Sequence, residues 1–206
     1  MDFKEVICKR RSSRNFSSKP ISEEVIRELI EAARLAPSGG NAQNWFFGII
    51  KNNMTKEHLA KAAGNQEWIA SAPVVIACCA KLGEDLRDVP SDDFGLLVNQ
   101  TRFGEDFINY LNNYPDRKTV NTFWNNAAPL IPGEHIFLAA VNRGLSACWV
   151  GYLDIKKAGE ILSLPEDVVC LFLMPIGYPN ESPKDIMRKS KNEILFYEKW
   201  NQAFLE

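Results

Sequence analysis

The sequence predicts an α+β fold, and three observations carry that reading. Residues 72–80 and 168–174 are apolar at nearly every position, the pattern of strands buried on both faces. Around them apolar residues recur at helical spacing, as Val25, Ile26, Leu29, Ile30 and Ala33 do. Helical and strand segments interleave without an internal repeat, low-complexity tract or shift in composition. The 206 residues therefore read as a single domain.

Each element has its own local signal. Asp2 and Glu5 stand at capping-box spacing, and Phe3, Val6 and Ile7 share a face, so a short helix should end near residues 9–11. Ser22 is an N-cap flanked by Ile21 and Ile26 at staple positions. A second helix should run over 23–35, stopped by Pro37. Residues 37–44 are turn formers, 45–50 a strand, 55–64 a helix and 72–80 a strand. Over 83–133 Gly, Pro, Asp and Asn punctuate the chain. There Phe103, Phe107, Tyr110, Leu111 and Tyr114 form a stripe expected to face the core of a helix, with a lid over a pocket as the alternative. Phe123 and Trp124 are read in a short Asn-rich loop that fits a lid. A helix over 134–143 should stop at Gly144, a short strand should cover 147–150, and a helix 155–162. The last strand should end at Pro175. Residues 178–192 read as an extended loop, and 193–204 are apolar enough to pack.

Composition excludes several classes. The hydrophobic fraction is 46% and the charged fraction 24%, which rules out wholesale disorder. The formal net charge of −2 argues against a dedicated nucleic-acid binder. No apolar run reaches the length of a membrane span, and the N-terminus shows no signal-peptide pattern, so the predicted setting is cytoplasmic. The five cysteines are odd in number and lack C-x-x-C spacing, so reduced thiols are expected and no metal site. Cys78 and Cys79 should face opposite sides of their strand. The dinucleotide fingerprint, the phosphate-binding P-loop, the zinc-protease motif and the nucleophile elbow are all missing from the sequence. His58 reads as a solvated side chain and His135 as structural.

Two clusters carry chemistry. Arg10, Arg11, Ser12 and Arg14 offer forked cations and a hydroxyl suited to phosphate, although basic residues after a helix also simply complement its dipole. Residues 37–44 place two glycines beside Ser38, Asn41 and Gln43, donors and acceptors for a polar ring edge; the bland alternative is a helix-to-strand turn. In order along the chain stand Arg-Arg-Ser-x-Arg, an amphipathic helix, Ala-Pro-Ser-Gly-Gly-Asn-x-Gln-x-Trp, Gly64-Asn65, Gly144 to Gly151 and Pro175 to Pro179. This series resembles the FMN-dependent nitroreductase family over nearly the whole chain apart from about 83–130.

The resemblance implies a central mixed or antiparallel sheet surrounded by helices, in a homodimer that binds FMN at its interface and is reduced by NADH or NADPH. Arg10, Arg11 and Ser12 match positions that hold the phosphate and ribityl chain. Arg14 matches a basic position near the flavin N1/O2 edge, where it would stabilise the reduced ring. Pro37, Ser38, Gly39 and Asn41 match a loop reaching the flavin from the partner subunit, and Asn65 a contact to the pyrimidine ring. Val150 and Gly151 match backbone near N5. Arg188, with Lys189, matches a late basic position returning to the phosphate. Residues 193–206 match an arm exchanged between subunits, and 83–133 a variable helical lid in which Phe107, Phe123 and Trp124 are candidate acceptor-pocket residues.

The implied activity is ping-pong hydride transfer through N5 to a nitroaromatic, quinone or similar small acceptor, with the flavin supplying the chemistry. A same-fold dehalogenase or dehydrogenase, and a flavin-binding sensing module with little turnover, are the alternatives. The chain departs from the family pattern at Asn44 where Pro is common, at Trp68 where some members carry a basic residue, and at Glu134-His135 where Gln-Asn is common.

Overall fold

A computed structural model describes residues 1–181 and 186–200. Asp2 opens the first helix, its carboxylate accepting the Glu5 backbone N–H at 2.8 Å, and α1 runs Phe3–Lys9. Ser22 accepts the Val25 N–H and starts α2, Glu23–Arg34, with Ile21 and Ile26 both buried as a staple around the cap. β1 (Trp45–Ile50) follows, then α3 (Asn53–Ala62), capped by Asn52. A short helix that the sequence reading did not anticipate, α4 (Trp68–Ser71), leads into β2 (Val74–Lys81). Lys56 is buried, and its Nζ donates to the Ala72 carbonyl at the end of α4 at 2.6 Å. Next come α5 (Phe94–Phe103), α6 (Glu105–Asn113), α7 (Arg117–Trp124) and α8 (Leu130–Asn142). Gly144, at φ +73°, turns the chain into β3 (Ser146–Ala147); α9 (Ile155–Ile161) and β4 (Val168–Gly177) complete the order. Among the described residues no helix is long and apolar enough to cross a membrane.

The strands form one antiparallel sheet in the order β1-β2-β4-β3. β2 and β4 lie inside it, which is why both are apolar throughout. Val74, Ile76, Cys78, Met174 and Ile176 face α1, α2 and α8 through Val6, Ile26, Leu29 and Phe137. Val75, Ala77, Cys79, Cys170 and Leu173 face α3, α4 and α9 through Leu59, Ile69 and Ala158. Cys78 and Cys79 thus divide between the faces as their alternation requires. A register shift makes this possible on β4: Cys78 pairs with Phe172 but Cys79 with Cys170, leaving Leu171 as an extra residue. Without that bulge, every side chain of β4 before it would turn to the wrong face.

Three sequence expectations are corrected here. β4 does not stop at Pro175 but continues to Gly177. The Pro175 carbonyl accepts from Cys148 N–H at 3.2 Å. In extended backbone a residue's nitrogen and carbonyl point the same way, so the missing N–H faces away from β2 and breaks no bond of that pair. Residues 83–133 hold α5, α6 and α7 and the start of α8, and Phe123 and Trp124 belong to α7 and not to a short Asn-rich loop. The aromatic stripe is not one core-facing helix. Gly104, at φ +86°, breaks it, and Phe103, Phe107, Tyr110 and Tyr114 are exposed while Ile108 and Leu111 are buried.

This segment has a small core of its own, Leu86, Leu111 and Val120 with Trp124 against it. It is clamped by Arg117, whose Nε and Nη2 each donate to Asp85 at 2.7 Å while Nη1 donates to the Leu111 and Tyr114 carbonyls. At the C-terminus, Ile194, Leu195, Phe196 and Trp200 are exposed rather than packed on their own chain, and 201–206 lie outside the described residues.

Gly133 shows packing overriding propensity. It lies inside α8, where Ala should be favoured by about 0.5–1 kcal/mol. A Cβ there would meet Trp149 Cη2 at 2.3 Å, and the Trp149 indole N–H donates to Glu134 at 2.9 Å, fixing the ring across the helix. Gly133→Ala is therefore expected to destabilise by about 1–3 kcal/mol, read as a fall in thermal midpoint. A rise in the midpoint would mean the indole moves freely.

Candidate functional site

The basic segment leaves α1 at Arg10, whose ψ of 120° ends the helix. Residues 10–14 then run beside β3. Ser12 forms a parallel bridge with Ala147, Ser13 N–H donates to the Ala147 carbonyl at 3.0 Å, and Ser146 Oγ donates to the Arg11 carbonyl at 3.0 Å. This pairing turns Arg11, Ser12 and Arg14 into a cleft of about 860 Å³ that Gly144, Ser146 and Pro179 also line. The Arg10 guanidinium lies 5.4 Å from the centre of the Phe137 ring, and that of Arg14 lies 5.7 Å from the centre of the Trp68 ring. Arg11 donates from Nη1 to the Cys8 and Arg10 carbonyls, closing the end of α1. Among the described residues, Arg10, Arg11 and Arg14 have no carboxylate within salt-bridge distance. Behind them burial pushes the Cys148 thiol up, against the opposing pull of Arg14 and Ser12, so it stays protonated.

The other candidate residues lie around this cleft or away from it. Residues 37–44 form a turn whose Ser38 hydroxyl accepts the Gln43 N–H at 3.0 Å. Pro37, Ser38, Gly39 and Asn41 do not line the cleft of their own chain. Asn41, Gln43 and Asn65 all sit at positive φ (54°, 47° and 57°), a cost that clusters at functional positions. Asn65 opens on a shallower cavity beside His58 and Lys61, and Gly64 before it carries the Tyr152 ring, which a Cβ would meet at 2.2 Å. Val150 is buried and bridges Leu173, whereas Gly151 is exposed above Phe172. Arg188 and Lys189 are exposed outside the cleft, although Ile186 lines it. Phe107 and Trp124 are joined through Phe103, each 6.1 Å from it centre to centre, while Phe123 is exposed. None of these three lines the cleft. His135 Nδ1 lies 3.1 Å from the Ala32 carbonyl, tying α8 to α2.

Residues 7–178 match the family described as Nitroreductase family. The chain belongs to that family. Among curated relatives, the oxygen-insensitive NADPH nitroreductase of Salmonella typhimurium is 26% identical, with 98% of this chain and 75% of that protein covered. The NADPH-flavin oxidoreductase of Vibrio harveyi is 25% identical, covering 98% of this chain and 76% of its own. Among solved structures, NfrA1 of B. megaterium superposes with a TM-score of 0.72 at 25% identity, over 96% of this chain and 74% of that one.

The site of this nitroreductase-family chain suits FMN. Guanidiniums without a counter-ion are free to take an anion, and their forked donors match a phosphate. A cleft of about 860 Å³ lies within the usual range for a cofactor site. Two features escaped the sequence reading. Trp68 does not merely replace a cation but supports the one on Arg14, and Asn15 donates to Glu181 and accepts from Asn180, closing the cleft's far edge. Contacts between residues 54 or 166 positions apart leave no local pattern to read.

Proposed function

We propose that the chain passes electrons from NADH or NADPH, through an FMN held at the cleft of residues 10–14, to a small nitroaromatic or quinone acceptor, the two substrates binding in turn. The enzyme class follows from the family: the chain is an FMN-dependent NAD(P)H oxidoreductase. The observation that carries the site assignment is that Arg11 and Arg14, with no carboxylate in salt-bridge distance among the described residues, line one cleft with Ser12.

FMN supplies reversible hydride transfer; the chain supplies charge and position. Arg10, Arg11 and Ser12 hold the phosphate and ribityl chain. Arg14 sets a fixed positive charge at the pyrimidine edge of the ring and favours negative charge there. The Trp68 face holds that guanidinium by cation–π attraction and leaves its N–H edge free. Asn65 would add an amide to the same edge, and the backbone at Val150 and Gly151 would border the ring. Arg188 and Lys189, exposed outside the cleft, would add positive charge on the side of the phosphate. The loop at Pro37, Ser38, Gly39 and Asn41 completes the site from a second copy of the chain. The exposed apolar side chains at 194–200 suit an arm lying on that copy. The exposed Phe107 and Phe123, with the half-buried Trp124 beside them, suit a lid over the acceptor. Five cysteines outside any disulfide suit a reducing, cytoplasmic setting.

The test is an anaerobic absorbance titration of the purified protein with NADH and, separately, NADPH. Bleaching of a yellow protein, reversed by a quinone or nitroaromatic, is expected. A protein that stays oxidised with both donors would favour a sensing role. One that bleaches but passes electrons only to a halogenated substrate would favour dehalogenation. A colourless protein that FMN cannot reconstitute would overturn the assignment.

A further inference from the structure

Cys79 on β2 and Cys170 on β4 are direct register partners. Both face the α3/α4/α9 side in one core cluster, 2% and 0% exposed, and neither has a role in the flavin reading. Directly opposed residues of an antiparallel pair have Cα atoms about 4.5–5.5 Å apart, inside the range of about 4.4–6.8 Å that a disulfide spans. The bulge at Leu171 falls beside this pair, loosening the ladder where the strands would have to adjust.

The pair is also reachable. A cavity of about 330 Å³ has Cys79 in its wall, together with Phe46, Phe47, Gly48, Ala77 and Leu162. Gly48 contributes no side chain and Ala77 only a methyl, although a Cβ on Gly48 would stand 3.2 Å from Ile50 Cδ1, and Phe46 is the residue directly opposite Cys79. No charged residue lines the cavity, which selects against ionic or bulky reagents. The Cys79 thiol donates to the Ala77 carbonyl at 3.8 Å and the Cys170 thiol to the Phe172 carbonyl at 3.6 Å, while the neighbouring sulfur draws Cys79 below the usual thiol range and, with burial, pushes Cys170 up. Cys79, the one of the two that stands in the cavity wall, is thus the sulfur a reagent meets first, with Cys170 behind it.

We propose that Cys79 and Cys170 are a redox-active cross-strand dithiol, oxidised to a disulfide by small uncharged hydroperoxides that enter beside Gly48. The Cys79 sulfur attacks one peroxide oxygen. The O–O bond breaks, an S–O bond forms, and the departing oxygen takes the Cys79 proton and leaves as water or alcohol. The Cys170 sulfur then attacks the Cys79 sulfur. The S–S bond forms, the S–O bond breaks, and the hydroxyl leaves as water with the Cys170 proton. The two cysteines lose two electrons and the peroxide gains them.

The test treats the native protein with hydrogen peroxide, alkylates remaining thiols after unfolding, and maps the peptides by mass spectrometry without reductant. A link between the Cys79 and Cys170 peptides, reversed by dithiothreitol, is expected, with a rise in thermal midpoint of about 5–10 °C while the bond is closed. Cys78 and Cys79 fall in one tryptic peptide, so variants assign the link: Cys78→Ala should keep it and Cys79→Ala abolish it. In Cys170→Ala the Cys79 sulfenic acid should persist and be trapped by dimedone. Full alkylation of both thiols after peroxide treatment of the wild type would overturn the proposal. So would a link that survives Cys79→Ala, or oxidation confined to the exposed Cys8. The wild-type result stands even if a variant fails to fold, and it does not depend on FMN.

Discussion

Replacing Arg10 and Arg11 together by Ala should weaken FMN binding by about 10²–10⁴-fold. Each charge-assisted bond from guanidinium to phosphate contributes about 1.5–3 kcal/mol, and each 1.4 kcal/mol is tenfold in affinity. Quenching of FMN fluorescence on titration measures it. Riboflavin, which lacks the phosphate, serves as the control: its affinity should be nearly the same in wild type and variant. The salt dependence of FMN binding should also flatten, because exposed charges on the protein are what ionic strength screens. Arg11 has a structural duty as well, closing the end of α1 through Nη1. Arg11→Lys retains a charge while losing the fork, and should fall between wild type and Ala. An unchanged FMN affinity in the double variant would remove residues 10–12 from the phosphate site.

Arg117→Ala should loosen the α5–α7 segment, whose start at Asp85 it clamps to the end of α6. Asp85 and Arg117 are 13% and 16% exposed at the side chain, joined by two bonds of 2.7 Å. Removing one partner of so sheltered a pair, with the Leu111 and Tyr114 carbonyls left open, costs about 2–4 kcal/mol. The loss should appear in hydrogen exchange as faster opening of 94–124, with β2 and β4 unaffected, because that segment has its own small core. The bonds from Arg117, and then those from Arg87, hold the Asp85 carboxyl well below the usual carboxylate range. A depressed folded pKa gives stability that is fully present above the unfolded value, about 4, and is lost as pH falls toward the folded one. The gap in stability between wild type and Asp85→Asn should therefore be widest near neutral pH and shrink below about pH 4. A gap independent of pH would show that Asp85 acts by shape alone. If lid function is right, Arg117→Ala should also alter KM for the acceptor more than KM for NAD(P)H.

Where an element announces itself locally, the sequence was enough. Ser22 with Ile21 and Ile26 marks α2, and the apolar runs around Val75 and Leu171 mark the inner strands, because caps and periodicity act within a few residues. The ordered motifs from Arg10 to Pro179 likewise located the family.

The failures share a cause. Pro175 looks like a strand end until its carbonyl is seen to face Cys148. The stripe from Phe103 to Tyr114 looks like a core face until Gly104 breaks it and its aromatics stay exposed while Ile108 and Leu111 are buried. Periodicity reports that a face is apolar, not what it meets. The same limit hid the Arg14–Trp68 stack and the opposition of Cys79 and Cys170, which a one-residue bulge at Leu171 decides. Composition, caps and motif order thus determined the fold class, most elements and the position of the basic cluster. The tertiary structure alone decided which guanidinium leans on which ring, which aromatics stay in solvent and which two thiols meet. Those depend on register and on packing between distant segments, which short-range sequence patterns do not encode.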